Sequence, residues 1–411
     1  MTGSAGGGTA RDASVSVIGL GKAGLPLAAV AASAGLHVVG VDTDARKIAR
    51  LQAGDNPIPE EPGLAEALAA SAGRITFTSE YSVVSECSAH IVVVPVFVDD
   101  GHRADFRILD GAIESLGTQL RPGHLVVLET TVPPGTTDGR LRGALEAASG
   151  LRAGADFAVA YSPERIMTGY SLSRYRDFPK VVGGIDSASG ARGHSLYSQF
   201  CADVRQVSNS RTAEMIKVAE GVYRDVNISL ANELLRACDA GGVDFWEMQA
   251  QANHEFCHIH QPGNVGGHCI PVYPWFLIHD YSVPLIETAR RLNDEMVQYY
   301  ADKVHRISDQ GAVAVVGLAY REGVKEKAYT RSIPLIAELR ERGYQVYGID
   351  PLYDQNEIEA EFGIPQLAAD QLTDMAAVVL MNRLPEFREI LRPILSKVVD
   401  VKNTLAEPEI A

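Results

Sequence analysis

Cysteine is scarce and follows no pairing pattern. The five cysteines, Cys87, Cys201, Cys238, Cys257 and Cys269, are odd in number and none forms a Cys-x-x-Cys pair. That excludes a disulfide framework and a structural zinc site, so no metal is expected and a reducing cytoplasm is the simplest compartment. Long apolar runs are missing too. Candidates such as Ile91–Pro95 are strand-sized, far short of the roughly 18–20 residues of a membrane span. Basic charge is in deficit: the formal net charge is -15. This argues against non-specific nucleic-acid binding, which needs a basic footprint. It leaves room for an anionic substrate, because a local basic pocket can sit on an acidic surface. No short-period repeat is visible. The start of the chain, Met1 to Asp12, is rich in Gly, Ser, Ala and Thr without an apolar centre. Residues 1–13 therefore read as a flexible tail and not as a signal peptide.

What is present is ordinary globular composition, 46% hydrophobic and 22% charged over 411 residues, enough for two or three domains. Val15–Gly19, a Gly-rich turn, a small-residue helix over Leu25–Ala34 and a strand at His37–Asp42 make a β-α-β unit. Further strand-like runs stand at Ile91–Pro95, Leu125–Glu129, Phe157–Tyr161 and Lys180–Gly183, with helical segments between several of them. The alternation implies a mostly parallel sheet covered on both faces. From Thr212 to Cys238 the pattern becomes one long helix, with Ile216, Ala219, Tyr223, Val226, Leu230 and Leu234 at helical spacing. A Gly/Pro/His-rich loop, Asn253–Pro274, and a helix from Ile286 to His305 follow. Ala312–Val316, Ile333–Arg342 and Gln345–Asp350 form a second β-α-β, with more strands at Ala376–Met381 and Lys397–Val401. The expected class is α/β: two Rossmann-like doubly wound domains, 14–205 and 309–411, joined by a helical middle domain, 206–308.

The turn Gly19-Leu20-Gly21-Lys22-Ala23-Gly24-Leu25 is the strongest local signal. A tight turn between strand and helix aims backbone N–H groups at a pyrophosphate. Gly19 makes the turn, Gly21 allows close approach of phosphates, and Gly24 lets helix and strand pack. Asp42, ending the next strand, is placed to bond ribose hydroxyls and repel a 2′-phosphate, which favours NAD. Arg46 and Lys47 nearby keep NADP open. Cys269 has the most suggestive setting of the cysteines, in Pro262-Gly263-Asn264-Val265-Gly266-Gly267-His268-Cys269-Ile270-Pro271. Its glycines leave backbone open to a ligand, and an exposed thiolate there is a nucleophile candidate. A small residue buried in a tight loop is the alternative.

Taken in order, the motifs resemble those of the nucleotide-sugar 6-dehydrogenase family, which includes UDP-glucose, GDP-mannose and UDP-N-acetylmannosamine dehydrogenases. They run from the Gly turn through Asn56-Pro57-Ile58-Pro59-Glu60-Glu61-Pro62-Gly63, Glu129-Thr130-Thr131-Val132-Pro133-Pro134-Gly135-Thr136-Thr137 and Ser162-Pro163-Glu164-Arg165. They continue through Ala213-Glu214-Met215-Ile216-Lys217, Tyr223–Ile228, Ala231-Asn232-Glu233-Leu234, the Cys269 loop, Ala289–Asp294 and Gly317-Leu318-Ala319-Tyr320. The wording at Tyr223–Glu233 and Gly266–Pro271 is most similar to the N-acetylhexosamine branch.

The resemblance implies a four-electron oxidation at C6 of a UDP-sugar, with two NAD used in sequence and Cys269 holding the intermediate as thiohemiacetal and then thioester. Thr131 and Glu164 match residues that hold a water and support proton transfer, and Lys217 matches an oxyanion-stabilising lysine. In isolation Glu164 would read as a surface carboxylate, Lys217 as a solvated helix position and Thr131 as a turn hydroxyl. The implied cofactor set is Gly19, Gly21, Lys22, Ala23, Gly24, Leu25, Asp42, Pro95, Thr130 and Thr131. The implied substrate set is Arg165, Lys217, Gly221, Arg224, Gly266, Gly267, His268, Arg290, Tyr320 and Arg321. For Arg290 a structural ion pair is the other reading. Lys325, Lys327 and Arg331 are either a solvated face or in part diphosphate ligands. A homodimer, paired through the middle helix, is expected.

Three positions depart from the family pattern. Gly221 stands where an asparagine is expected four residues after Lys217, and Tyr273 where an aspartate is expected four residues after Cys269. Thr168 replaces the second glutamate of the UDP-glucose branch. Gly221 and Tyr273 read as a compensated swap, the phenol filling the space and replacing the polar group, which adds Tyr273 to the catalytic candidates. The departures leave open a reaction that stops at the aldehyde. A nucleotide-sugar epimerase and a binding protein that has lost catalysis are the alternatives from other classes.

Overall fold

The computed structural model describes residues 14–166 and 169–406. The expected tail, 1–13, and the Thr168 position lie outside the described residues. The chain divides into two compact units, residues 1–219 and 220–411.

In the first unit the strands are β1 Ser14–Ile18, β2 His37–Val41, β3 Ile75–Thr78, β4 Ala89–Val92, a short antiparallel pair β5 Phe97–Val98 and β6 Ala104–Asp105, then β7 Leu125–Leu128, β8 Ala158–Tyr161, β9 Lys180–Gly184 and β10 Val204–Gln206. Eight of them form one sheet in the order β10-β9-β8-β7-β4-β1-β2-β3. All neighbours are parallel except β8 and β9. β4, β7, β8 and β9 are buried at every position. That double burial is why they read as unbroken apolar runs and not as alternating patterns. The first helix, Gly24–Ser33, is buried everywhere but Ser33, and its run of alanines lets it lie close on the sheet. Chain order reverses between β1 and β4, so a crevice opens at their C-terminal ends, where Gly19 and Val93 sit.

One strand differs from expectation. The run Ile91–Pro95 is strand only as far as Val92, because pairing with β1 ends at Ile18. Val93 still donates to the Ile18 carbonyl at 2.8 Å, and the chain then leaves the sheet.

The second unit holds β11 Ala312–Val316, β12 Gln345–Ile349, β13 Ala377–Leu380 and β14 Val398–Asp400, all parallel in the order β12-β11-β13-β14. Helix Pro284–Ile307 buries Ala289, Arg290, Asn293, Met296, Val297, Tyr300, Ala301 and Val304, one stripe at three- and four-residue spacing. The Ser210–Gly241 helix corrects the reading of its apolar stripe. Its Val218, Val222, Asp225, Ser229, Asn232 and Leu235 are buried, whereas Tyr223 and Leu230 are 56% and 50% exposed. The buried face is partly polar, so periodicity of apolar residues pointed to the wrong side. Among the described residues no helix is long and apolar enough to cross a membrane.

Candidate active site

The Gly turn lies at the crevice of the first sheet. Gly19 has φ +96°, and a Cβ there would fall 2.5 Å from the Val93 carbonyl oxygen. A Cβ on Gly24 would fall 1.8 Å from the Gly19 oxygen, so only glycine lets helix and strand close. At Gly21 nothing lies within 4 Å of a built Cβ. This bare backbone faces open space, as a phosphate-approaching position requires, and the residues present fit a dinucleotide. Asp42 accepts the Leu20 amide at 2.9 Å, the Asp44 amide at 2.9 Å and the Lys47 ammonium at 2.7 Å. Burial alone would raise its carboxyl; the Lys47 bond and the two amides outweigh burial and hold it below its ordinary range. Lys47, one of the two cations that kept NADP open, is therefore already paired. Lys22 meets Glu60 at 3.2 Å on the surface. Pro95 is exposed beyond β4, and the Thr130 hydroxyl donates to the Val94 carbonyl at 2.6 Å, so both stand at the C-terminal edge of the sheet.

Glu164 and Lys217 come together in the same unit. The Lys217 ammonium donates to the Glu164 carbonyl and lies 3.7 Å from the Glu164 carboxylate. Lys217 is only 8% exposed, so it is not the solvated helix position its sequence neighbours would indicate. The Glu164 amide donates to the Glu129 carbonyl at 3.2 Å, which sets it beside the strand end that carries Thr131. One helical turn before Lys217, buried Glu214 accepts the amides of Gly135 at 2.5 Å and Thr137 at 2.8 Å. Burial raises the Glu214 carboxyl despite these bonds. The helix that bears Lys217 thus grips the loop that follows Thr131. Arg165 donates to the Pro179 carbonyl at 2.8 Å with its guanidinium over Phe178, 4.6 Å from the ring centroid.

In the second unit Cys269 is exposed, and its carbonyl accepts the amides of Val272 at 3.2 Å and Tyr273 at 3.0 Å. This tight turn brings Tyr273 back over the Ser210–Gly241 helix. A Cβ on Gly221 would fall 2.3 Å from Cδ2 of Tyr273. The glycines of the loop do not leave backbone open as expected. A Cβ on Gly266 would meet the Tyr329 oxygen at 2.8 Å, and one on Gly267 the Tyr320 ring at 2.8 Å. The reason is close packing: the loop lies on Tyr320, and Gly267 donates to the Ala328 carbonyl at 3.1 Å. His268 stands 3.8 Å from Glu326, edge-on to the Tyr329 ring.

Arg290 is 1% exposed, bonded to Asp225 and 3.3 Å from Asp294. The same Asp225 oxygen accepts the Asn293 side chain at 2.9 Å; Asn293 accepts from Asn232 at 2.9 Å, and Asn232 accepts the Gly263 amide at 2.7 Å. A buried polar chain therefore runs from Arg290 to the base of the cysteine loop. Burial pushes the Asp225 carboxyl up to about 6, against the opposing pull of Arg290 and Asn293. Arg224 is exposed next to this chain in sequence. Lys325, Lys327 and Arg331 are paired with Glu357 at 2.5 Å, Glu361 at 3.4 Å and Asp294 at 3.2 Å. The Arg321 guanidinium lies 5.7 Å from the Tyr320 ring centroid, and its buried Nε has no hydrogen-bond partner among the described residues. Sequence reasoning passed over Lys402, whose ammonium reaches the Pro262 carbonyl at 3.4 Å. Its only sequence signal is a lysine following a strand. Among the described residues no His, Cys, Asp and Glu cluster could hold a metal.

The models of the UDP-glucose/GDP-mannose dehydrogenase family match three stretches: the NAD binding domain at residues 13–201, the central domain at 211–295 and the UDP binding domain at 314–407. The chain is 31% identical over 410 residues to the UDP-N-acetyl-D-mannosamine dehydrogenase of Methanocaldococcus jannaschii, covering 95% of this chain and 92% of that one. It is 33% identical over 395 residues to the UDP-N-acetyl-D-glucosamine 6-dehydrogenase of Pseudomonas aeruginosa, covering 92% of each. The solved structure of a UDP-D-ManNAc dehydrogenase from Pyrococcus horikoshii superposes with a TM-score of 0.85 at 29% identity, covering 97% of both chains. The bare Gly turn with its acidic partner and the three matched domains lead to one conclusion: this chain belongs to the UDP-glucose/GDP-mannose dehydrogenase family and is an NAD-dependent dehydrogenase.

Proposed function

We infer that the protein oxidises the C6 hydroxymethyl group of a UDP-sugar to the carboxylate, with a UDP-N-acetylhexosamine as the favoured substrate and UDP-glucose next. The observation that carries this reading is the Lys217–Glu164 pair, a buried ammonium against a carboxylate at the C-terminal edge of the NAD-binding sheet. The names of the similar mannosamine and glucosamine enzymes support the N-acetylated substrate. We assign residues 14–205 to NAD, 206–308 to a helical middle and 309–411 to the nucleotide sugar.

NAD, when bound, accepts the hydride of each oxidation. Glu164 and Thr131 hold a water that takes the hydroxyl proton, and Lys217 stabilises the developing oxyanion. The Cys269 sulfur, as thiolate, bonds to the aldehyde carbon, and the carbonyl pair moves onto oxygen. Departure of a hydride from that carbon leaves a thioester. Water then adds, the carbon–sulfur bond breaks, and the carboxylate leaves. One alcohol and one water yield one carboxylate, two hydrides and three protons. Arg321, with its unpartnered N–H, serves the diphosphate. Tyr273, seated on Gly221, takes the place of the asparagine and aspartate of the family, and its phenol supplies the polar group. The exposed side chains of Tyr223 and Leu230 on one helix face support a homodimer. The five free cysteines support a reducing cytoplasm.

The test is turnover of UDP-GlcNAc, UDP-ManNAc, UDP-glucose and GDP-mannose with NAD, followed by the product mass. Acid formed fastest from an N-acetylated UDP-sugar supports the assignment. Acid formed fastest from UDP-glucose or GDP-mannose overturns the substrate, and aldehyde as the end product overturns the second oxidation.

A further inference from the structure

Four buried polar side chains of the first unit have no part in the chemistry above. Glu129, at the end of β7, is 0% exposed and Lys180, at the start of β9, 4%. The Lys180 ammonium donates to Glu129 at 2.7 Å and lies over the rings of Tyr197 and Tyr175, 4.7 Å and 5.3 Å from their centroids. The Tyr197 hydroxyl donates to the same carboxylate at 2.5 Å. Two charges taken this far from water cost several kcal/mol each, and well-packed apolar residues often do better for stability. The pair therefore calls for an explanation other than folding.

Its remaining bonds supply one. Lys180 also donates to the Pro163 carbonyl at 3.2 Å, the residue before Glu164. The backbone of Glu129 accepts the Glu164 amide at 3.2 Å. The Tyr175 hydroxyl lies 3.4 Å from the Glu129 carboxylate and 3.2 Å from the carbonyl of Ala23, inside the cofactor turn. Burial, with the Glu129 charge, pushes both phenols well above their ordinary range, so they remain hydrogen-bond donors. The helix that carries Tyr175, Ser171–Asp177, is itself anchored. Buried Glu61, from the Asn56–Gly63 motif, accepts the Gly169 amide at 2.8 Å, the Ser171 amide at 2.6 Å and the Ser171 hydroxyl at 2.7 Å.

We propose that Glu129, Lys180 and Tyr175 are positioning residues of the dehydrogenase: they fix the Pro163–Glu164 backbone relative to the Ala23 carbonyl of the NAD turn. Glu61 anchors the far side of the same segment. The frame explains why charged residues stand in the core, and it gives the Glu61 motif a task. It rests on the role assigned to Glu164, and the experiment separates the two.

Glu129→Gln/Lys180→Met removes both charges while keeping volume, so the fold survives. The expected result is a melting temperature within a few degrees of the parent, kcat lowered about tenfold and KM for the UDP-sugar unchanged. Combined with Glu164→Gln, the pair should add no further loss in kcat, because it acts through Glu164. Tyr175→Phe should raise KM for NAD several-fold with kcat retained. An equal tenfold loss in the Glu164→Gln background, or unchanged kcat in a folded charge-free variant, overturns the positioning role. If the double variant does not fold, Lys180→Arg decides: charge without the Pro163 bond should lower kcat, and parental kcat overturns the proposal. Glu164→Gln with parental kcat would instead defeat the role of Glu164, leaving Tyr175→Phe to judge the link to the NAD turn.

Discussion

Tyr273 lies with its ring against the Cα of Gly221, so close that a built Cβ falls 2.3 Å from Cδ2 of the ring. Gly221 is buried in the interior of a long helix, and Tyr273 is 7% exposed. The two departures from the family pattern are therefore one packing arrangement.

Gly221→Ala should be destabilising even though alanine is the better helix former. Propensity returns about 1 kcal/mol, and overpacking against the ring costs about 1–3 kcal/mol. In a Tyr273→Ala background the same change should become stabilising. Chemical denaturation of the four proteins reads this reversal of sign. Tyr273→Phe keeps the ring against Gly221 and removes only the phenol hydroxyl. Turnover should fall about tenfold, and full turnover would reduce Tyr273 to a packing residue.

Asp42 holds the cofactor turn and a cation at once, through Leu20, Asp44 and Lys47. Asp42→Ala should raise KM for NAD at least tenfold. It also releases Lys47, so the preference for NAD over NADP should narrow, as a 2′-phosphate gains a partner. Steady-state kinetics with both cofactors measures this; an unchanged ratio would remove Asp42 from cofactor choice.

His90 sits in the first sheet at 0% exposure, with Nδ1 2.8 Å from the Ser16 hydroxyl and Nε2 3.0 Å from Nδ1 of His124. Arg121, Arg192 and Glu86 surround His124. Burial, with His124 next, pushes His90 down to about 3. The unfolded chain takes up the proton near pH 6.5, so between that pH and about 3 the unfolded state binds more protons. Stability is full above pH 6.5 and falls as pH drops; at pH 5 the loss is roughly 2 kcal/mol. His90→Gln should flatten the melting temperature between pH 5 and 7.5. An equal acid loss in that variant would assign it to other groups.

The elements that local spacing encodes were readable. The Gly turn follows from three glycines and the strand before them, and Asp42 from its place at the end of the next strand. The cage around Glu129 was not, because its partners are 51 residues away at Lys180 and 68 at Tyr197. Glu61 and Ser171 are 110 apart. A buried carboxylate and a solvated one look alike until the chain is folded. The Ser210–Gly241 helix misled for a related reason. Asp225 and Asn232 both bond Asn293 inside the protein, and Ser229 is buried on the same helix, so polar letters marked a buried face. The glycines at 266 and 267 read as backbone left open to a ligand, yet what approaches them is Tyr320 and Tyr329.

The central claim is that one sugar gives up two hydrides with Cys269 holding it between them. The direct measurement is the number of NADH formed per UDP-sugar consumed, for the parent and for Cys269→Ser. The parent should give two NADH and an acid, and the serine variant, which makes a poorer covalent adduct, at most one. One NADH and an aldehyde from the parent, or two from the variant at the parent's rate, would contradict it.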